Sequence, residues 1–319
     1  LCDDFLQDRE AKLDTGELSL HTFAEYRRTT DRIFEFFGRN RRVDDLKPVD
    51  FRAFRSELAK GCSVVTLKSK VNRSRVVFKF AHDNRHIAHP VEYGTAFDRP
   101  TEKSLRTARA DAGERMFEAD ELRRIIEAAS QPLRAMVLLG LNCGFGNTDV
   151  ASLPQSALDL KSGWVNFART KTGIQRRCPL WPETVDAIRE SLKSRPQPKS
   201  LEDSDLVFVT SRGTRFVRVQ ESKTTEGRHV TINSLARRFD SLLLGLKING
   251  RSGLGFYTLR HVFETIGGES RDQVAVNAIM GHVDSSMAGQ YRERISDARL
   301  QDVANAVRMW LFGTDTDAR

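Results

Sequence analysis

Cysteine is scarce in this chain. Its 319 residues include four, Cys2, Cys62, Cys143 and Cys178. They are far apart and fit neither a disulfide framework nor a zinc-ligand spacing, so a reducing, cytoplasmic setting is expected. Long apolar runs are missing too. None approaches the ~20 residues that a helix needs to span a bilayer, which excludes the helical membrane class from the expectations. The first residue is Leu rather than Met, as expected of a trimmed chain, and any leader lost with the start would be invisible. Acidic residues are outnumbered, 43 against 51 basic ones, leaving a formal net charge of +8 and a pI near 9.5. A basic excess favours a polyanionic partner, most often nucleic acid, because neutralising phosphates releases counterions. What is present, 39% hydrophobic and 29% charged residues, is the make-up of an ordinary soluble globular protein. The length suffices for two domains.

The totals alone fit a merely basic protein equally well, so the distribution has to decide. Residues 19–38 read as a helix with Phe23, Tyr26, Ile33, Phe34 and Phe37 on one side and Gly38 to close the end. Residues 47–60 give a second, with Phe51, Phe54 and Leu58 at helical spacing. The third, Thr66 to Asp83, places Lys68, Asn72, Arg75 and Lys79 in one stripe. Six Lys or Arg face a single Asp between Thr66 and His86. Leu67, Val71 and Phe78 lie beside the stripe and anchor it. A basic stripe on an anchored helix fits the DNA backbone or major groove better than it fits a solvated face, which usually mixes both signs. His82, His86 and His89 recur at near-helical spacing, but Pro90 ends the helix there and no cysteine is near, so no metal is expected. The expected organisation is a helical domain over 1–92, a basic linker over 93–116 and a second domain over 117–319.

The second domain opens with a helix burying Leu122, Ile125 and Ile126, followed by an apolar helix over Leu133–Leu141. The turn C-G-F-G-N-T-D-V-A-S-L comes next, where Asn147 or Thr148 is expected to cap a following helix. A β-hairpin is then expected, with Trp164, Val165 and Phe167 on one strand, Cys178 and Leu180 on the other, Gly173 in the turn and Lys171 near the tip. A helix over 181–193 starts on Pro182. Leu206 to Val209 is a candidate strand, 211–231 a polar basic loop, and Ser234 to Leu246 an amphipathic helix. The fold class expected is mainly α with a small antiparallel β-sheet: an all-helical first domain and a mixed α/β second one.

The chemistry concentrates between Tyr257 and Tyr291, in Y-T-L-R-H-V-F-E-T followed by M-G-H-V-D-S-S-M-A-G-Q-Y. Arg260, His282 and Tyr291 occur in the order that cleavage of a DNA phosphodiester by a protein hydroxyl would need. The tyrosine attacks phosphorus, the arginine balances charge on the non-bridging oxygens, and the histidine donates a further hydrogen bond. This box resembles that of the tyrosine recombinases, the phage-type integrases, whose usual pattern is H-x-x-R…[L/M]-G-H…Y. The resemblance implies a clamp around duplex DNA and a 3′-phosphotyrosyl bond at Tyr291. It also implies that Lys171, in a T-K-T-G frame, acts as general acid for the departing 5′ oxygen. No ATP, metal or other cofactor is needed. A synaptic homo-tetramer is implied, with the tail stripe Leu300, Val303, Ala304, Val307 and Leu311 docking on its own body or on a neighbour.

Two positions depart from the pattern. Gly146 stands where the family has its first catalytic arginine, and Tyr257 where it has a histidine. A phenol can still donate to a phosphate oxygen, whereas loss of a guanidinium costs ~3–4 kcal/mol of transition-state stabilisation. Either Arg169, Arg176 or Arg177 supplies the missing charge, or the chain binds DNA without cleaving it. A type IB-like topoisomerase is a further alternative.

Overall fold

Regular hydrogen bonding is mostly helical, and the few strands are short. The computed structural model describes residues 1–222, 229–248, 250–251 and 253–313. Contacts divide the chain into two units, one of Leu1–Glu114 with Val219–Thr231, the other of Arg115–Arg218 with Ile232–Arg319. The mainly α architecture with small antiparallel sheets is as expected.

The first unit contains α1 (Cys2–Asp14), α2 (Leu20–Phe37), α3 (Pro48–Ala59), α4 (Val64–Asp83) and α5 (Glu102–Asp111). Ser19, Ser63 and Thr101 cap α2, α4 and α5 by accepting from a backbone N–H one turn in. Phe5, Phe51, Phe54, Phe78 and Phe97 are fully buried and form an aromatic core. Phe34, expected on the buried face of α2, is exposed instead. Tyr93 and Phe97 stack on each other at 5.6 Å within this core. Residues 93–114, read from sequence as part of a linker, therefore belong with the first unit by their contacts. The stretch looked poorly apolar because two aromatic anchors among many charges give no periodic signal.

In the second unit, α6 (Ala119–Ala128) leads to α7 (Leu133–Cys143), then α8 (Asn147–Ala151). Strands β1 (Leu158–Asp159), β2 (Trp164–Asn166) and β3 (Arg177–Pro179) form an antiparallel sheet in that order, pairing Trp164 with Pro179 and Val165 with Cys178. After α9 (Pro182–Lys193), strands β4 (Val217–Glu221) and β5 (His229–Asn233) make a second sheet, of which Val219–Thr231 groups with the first unit. The expected loop over 211–231 is thus corrected: the alternation in Val217-Arg218-Val219 and in Val230-Thr231-Ile232 is strand-like, and residues 223–228 lie outside the described residues. Leu206 to Val209 is buried but makes only an isolated bridge, Pro154 with Leu206, rather than a strand. Helices α10 (Ser234–Gly245), α11 (Thr258–Gly268), α12 (Gln273–Met280), α13 (Met287–Tyr291) and α14 (Asp297–Phe312) complete the unit.

Every residue of α7 except Arg134 is buried, as befits a helix that is apolar all round. Gly140 lets α11 approach it; a Cβ there would sit 2.9 Å from Leu259 Cδ1. In the single chain the tail stripe packs on its own unit. Leu300, Val303, Ala304, Val307 and Leu311 of α14 are buried in the same core, and the Trp181 indole donates to the Ala304 carbonyl at 2.9 Å. No described helix is long and apolar enough to cross a membrane.

Candidate active site

Three segments of the second unit converge: the turn after α7, the β2–β3 hairpin, and the chain from Tyr257 to His282. The turn depends on Gly144, which ends α7 in the left-handed region at φ 60°. A Cβ there would lie 3.0 Å from the Phe263 ring, so only glycine fits without repacking. The chain then reaches Gly146, which caps α8, and its N–H donates to Asp149 Oδ2 at 3.0 Å. The expected cap on Asn147 or Thr148 is corrected, because the carboxylate three residues on takes that N–H.

Arg260, on α11, is 3% exposed. One guanidinium nitrogen, Nη1, donates to the Gly144 carbonyl at 2.6 Å. The other, Nη2, donates to the Met280 carbonyl at 2.8 Å and reaches His282 Nε2 at 2.9 Å. Burial and then the charge of Arg169 lower its pKa, yet an arginine remains a cation throughout any working pH. An arginine cannot accept a hydrogen bond, so His282 Nε2 must accept, leaving the imidazole proton on Nδ1. Nδ1 in turn lies 3.2 Å from Asn277 Oδ1, a natural acceptor. Burial and the Arg260 charge hold the His282 pKa below its usual value, against a raising effect of Glu264. His282 is therefore a neutral imidazole pinned in one tautomer, accepting in this arrangement where the sequence suggested a donor.

The two departures from the family pattern touch each other. Tyr257 precedes α11 and is 48% exposed. Its ring lies against Gly146: a Cβ on that residue would sit 3.2 Å from Tyr257 Cε2 and 3.4 Å from Cδ2. The same ring meets His261 edge-on at 5.5 Å. Behind it, Arg176 is 3% exposed and donates to Asp149 Oδ1 at 3.1 Å and to the Phe167 carbonyl at 3.0 Å. Its guanidinium lies 4.3 Å from the Phe145 ring centre. Burial lowers its pKa more than the Asp149 carboxylate raises it.

Lys171 is exposed at the hairpin tip, next to Thr170, whose hydroxyl donates to Asp149 Oδ1 at 3.3 Å. Tyr291 ends the short α13 and is 78% exposed. Its segment is tied by Asp284, which accepts from the Ser286 hydroxyl at 2.6 Å and pairs with Arg292 at 2.8 Å. The Ser286 hydroxyl, then Arg292, pull that carboxyl down to about 2. Among the described residues, neither Lys171 nor Tyr291 makes a hydrogen bond to Arg260 or His282. Lys68, Asn72, Arg75 and Lys79 lie on α4 of the first unit. There Lys68 pairs with Glu102 at 2.8 Å, Arg75 with Asp98 at 3.0 Å, and Lys79 with Asp83. The stripe is thus largely neutralised within its own unit, and Lys68 and Arg75 are only about a third exposed. Among the described residues no cluster of three His, Cys, Asp or Glu has the geometry to hold a metal.

The model of the phage integrase family matches residues 115–296, more than half of the chain and the whole of this site. The chain belongs to the phage integrase family. Among curated relatives, the type 1 fimbriae regulatory protein FimE of Escherichia coli strain K12 is 28% identical over 85 residues, 27% of this chain and 43% of that protein. The FimE of Shigella flexneri matches over the same extent. The chain therefore spans under half the length of the curated relatives it matches. Among solved structures, lambda integrase(75–356), a dimer bound to a COC′ core site, superposes with a TM-score of 0.59 at 16% identity, over 92% of this chain and 98% of that one. The Tn1549 transposon integrase in complex with circular intermediate DNA gives 0.61 at 15% identity, over 92% and 96%. At such identities the likeness is one of fold.

Asp149 and Asn277 were not singled out from the sequence as site residues. Asp149 sits three residues after the missing arginine, where a first-turn carboxylate reads as a helix acid, and its hairpin partner is 27 residues away. Asn277 lies five residues before His282, one helical turn plus a left-handed glycine away. Only the fold reveals either role.

Proposed function

We propose that the chain is a site-specific DNA recombinase that binds duplex DNA and exchanges strands through a 3′-phosphotyrosyl intermediate. The observation that carries this reading is Arg260. A fully buried guanidinium hung from two backbone carbonyls and touching a neutral histidine is a preorganised anion site, the kind that stabilises charge developing on phosphorus without reorganising.

In this reading the Tyr291 oxygen bonds to phosphorus as the bond from phosphorus to the 5′ oxygen breaks. Lys171 gives the leaving oxygen its proton, and the neutral His282 takes the phenolic one on Nε2 once Arg260 turns the N–H it now gives that nitrogen to the phosphate. Arg260 balances the charge on the non-bridging oxygens, and the Tyr257 phenol donates to one of them. The phosphodiester energy is kept in the tyrosyl ester, so no cofactor is required. Lys68, Asn72, Arg75 and Lys79 would meet the DNA backbone by exchanging their carboxylate partners for phosphates. One related structure is a lambda integrase tetramer bound to a Holliday junction, which supports a homo-oligomer on paired sites here. A domain plan of 1–92, 93–116 and 117–319 serves this clamp, with the boundary nearer to residue 114.

The test is covalent trapping. Nicked duplexes tiled across the sequences flanking the chain's own gene are incubated with the protein and with Tyr291→Phe, then denatured. An adduct with the parent alone is the expected result. Firm DNA binding without an adduct would leave a DNA-binding relative that does not cleave. Relaxation of supercoils with no site preference would instead indicate topoisomerase activity.

A further inference from the structure

Position 146 supplies no cation, and its side-chain direction is filled by the Tyr257 ring. The hairpin offers three arginines in its place, and their surroundings separate them. Arg177 points elsewhere: it makes a two-pronged ion pair with Asp297, at 2.8 and 2.7 Å, and lies 4.0 Å over Trp164. Arg176 is walled in and already neutralised by Asp149. Arg169 differs from both. It is half-buried, and among the described residues no carboxylate lies within ion-pair distance of it. Its Nη1 donates to the Gly281 carbonyl at 3.1 Å, the carbonyl next to the one that holds Arg260 Nη2. Gly281 is itself left-handed at φ 63°, and a Cβ there would lie 2.8 Å from Arg176 Cδ, 3.0 Å from Arg169 Cβ and 3.1 Å from Arg169 Cδ. The glycine thus makes room for both arginine stems, and it is the carboxylate partners that tell the two apart.

Two guanidiniums anchored on consecutive carbonyls repel. Burial, and then the Arg169 charge, lower the Arg260 pKa. Like charges held together in a half-buried site are unfavourable until an anion joins them. We propose that Arg169 is the second phosphate-binding arginine of this site, reaching from the hairpin to the position that residue 146 no longer serves. The inference rests on the recombinase reading. In the step itself Arg169 and Arg260 share the non-bridging oxygens, while Arg176 and Asp149 only hold the hairpin against the turn.

The experiment measures adduct formation by the full chain, as parent, Arg169→Ala, Arg169→Lys and Arg177→Ala, on the tiled nicked duplexes. Each duplex is made with either a natural phosphodiester or a neutral methylphosphonate at the reacting position. Arg169→Ala is expected to lose about 10²–10³-fold in adduct rate on the phosphodiester, with DNA binding within about 3-fold of the parent. On the methylphosphonate, which has one fewer negative charge and one fewer non-bridging oxygen for the arginine to balance, the loss should shrink to under about 10-fold. Arg169→Lys should recover part of the rate, and Arg177→Ala should resemble the parent. A parent-like rate in Arg169→Ala, or an equal loss on both substrates, overturns the assignment and leaves the recombinase reading intact. Firm binding with no adduct from the parent sinks both together.

Discussion

Asp149 ties the turn at Gly146 to the hairpin, and its removal gives a sharp measurement. Its Oδ2 takes the Gly146 N–H and its Oδ1 pairs with Arg176, with the two side chains 9% and 1% exposed. Asp149→Ala would strand the Arg176 guanidinium, one nitrogen of which, Nη1, is already buried without a described partner. Breaking a buried pair from one side costs about 3–5 kcal/mol. With a urea dependence of about 2 kcal/mol per M, the unfolding midpoint should fall by about 2 M. Trp164, Trp181 and Trp310 all lie in the second unit, so tryptophan fluorescence follows that unit and avoids treating the whole chain as two-state. The double variant Asp149→Ala/Arg176→Met removes the stranded charge and should recover about 2 kcal/mol, since an apolar replacement of a buried pair is often neutral. A single-variant loss below about 0.5 kcal/mol, or a double variant weaker than the single, would refute the account of the pair.

Three further outcomes follow from the same geometry. His282 is held below its ordinary pKa of 6.5, so the unfolded chain takes up its proton first as pH falls. Stability should therefore drop as pH falls below 6.5 towards the lowered folded pKa, and His282→Gln should flatten that arm in pH-dependent urea titrations. Gly140→Ala would push a methyl to within 2.9 Å of Leu259 Cδ1; overpacking of this kind costs about 1–3 kcal/mol, and an unchanged urea midpoint would show that α11 is free to move. Asp98→Asn with Glu102→Gln would release Arg75 and Lys68. DNA binding measured against salt should then tighten and its salt slope steepen by about one unit per cation released, while an unchanged slope would remove α4 from the DNA contact.

Much of this was legible in the sequence where periodicity and punctuation agree. The α2, α3 and α4 helices fall within two residues of their expected ends, because Ser19, Gly38, Pro48 and Ser63 mark the boundaries. The hairpin over Trp164 to Pro179 was legible for the same reason, with Gly173 at φ 70° in its turn. In residues 93–114 charge dominates the sequence while Tyr93 and Phe97 do the packing, so the stretch gives no periodic signal. The stripe on α4 was visible as a pattern, but its ion pairs with Asp98 and Glu102 are 23 and 34 residues away and could not be. At the site, the sequence displayed Arg260, His282, Lys171 and Tyr291 as an ordered set. It left three hairpin arginines equivalent, since only the fold shows that Asp149 pairs with Arg176 and Asp297 with Arg177.

Two departures that lie far apart along the chain touch each other in the fold. Gly146 has ordinary extended dihedrals, φ −84° and ψ 176°, so no backbone strain demands glycine there. The Tyr257 ring does, because any Cβ would lie 3.2 Å from its edge and one of the two would have to yield by a few tenths of an ångström. Gly146→Ala should cost about 1 kcal/mol, part from the poorer helix cap and part from the ring. In a Tyr257→Ala background only the cap part should remain, so a double-mutant cycle should show a coupling of about 0.5 kcal/mol or more. Additivity within about 0.3 kcal/mol would mean that the ring moves freely and the two positions are independent. If they are coupled, Gly146→Arg alone cannot restore the ordinary arrangement, since the new stem meets the ring before its guanidinium reaches the carbonyls that hold Arg260. Restoration then requires Gly146→Arg together with Tyr257→His. That pair, introduced into Arg169→Ala, should regain adduct formation where Gly146→Arg alone does not.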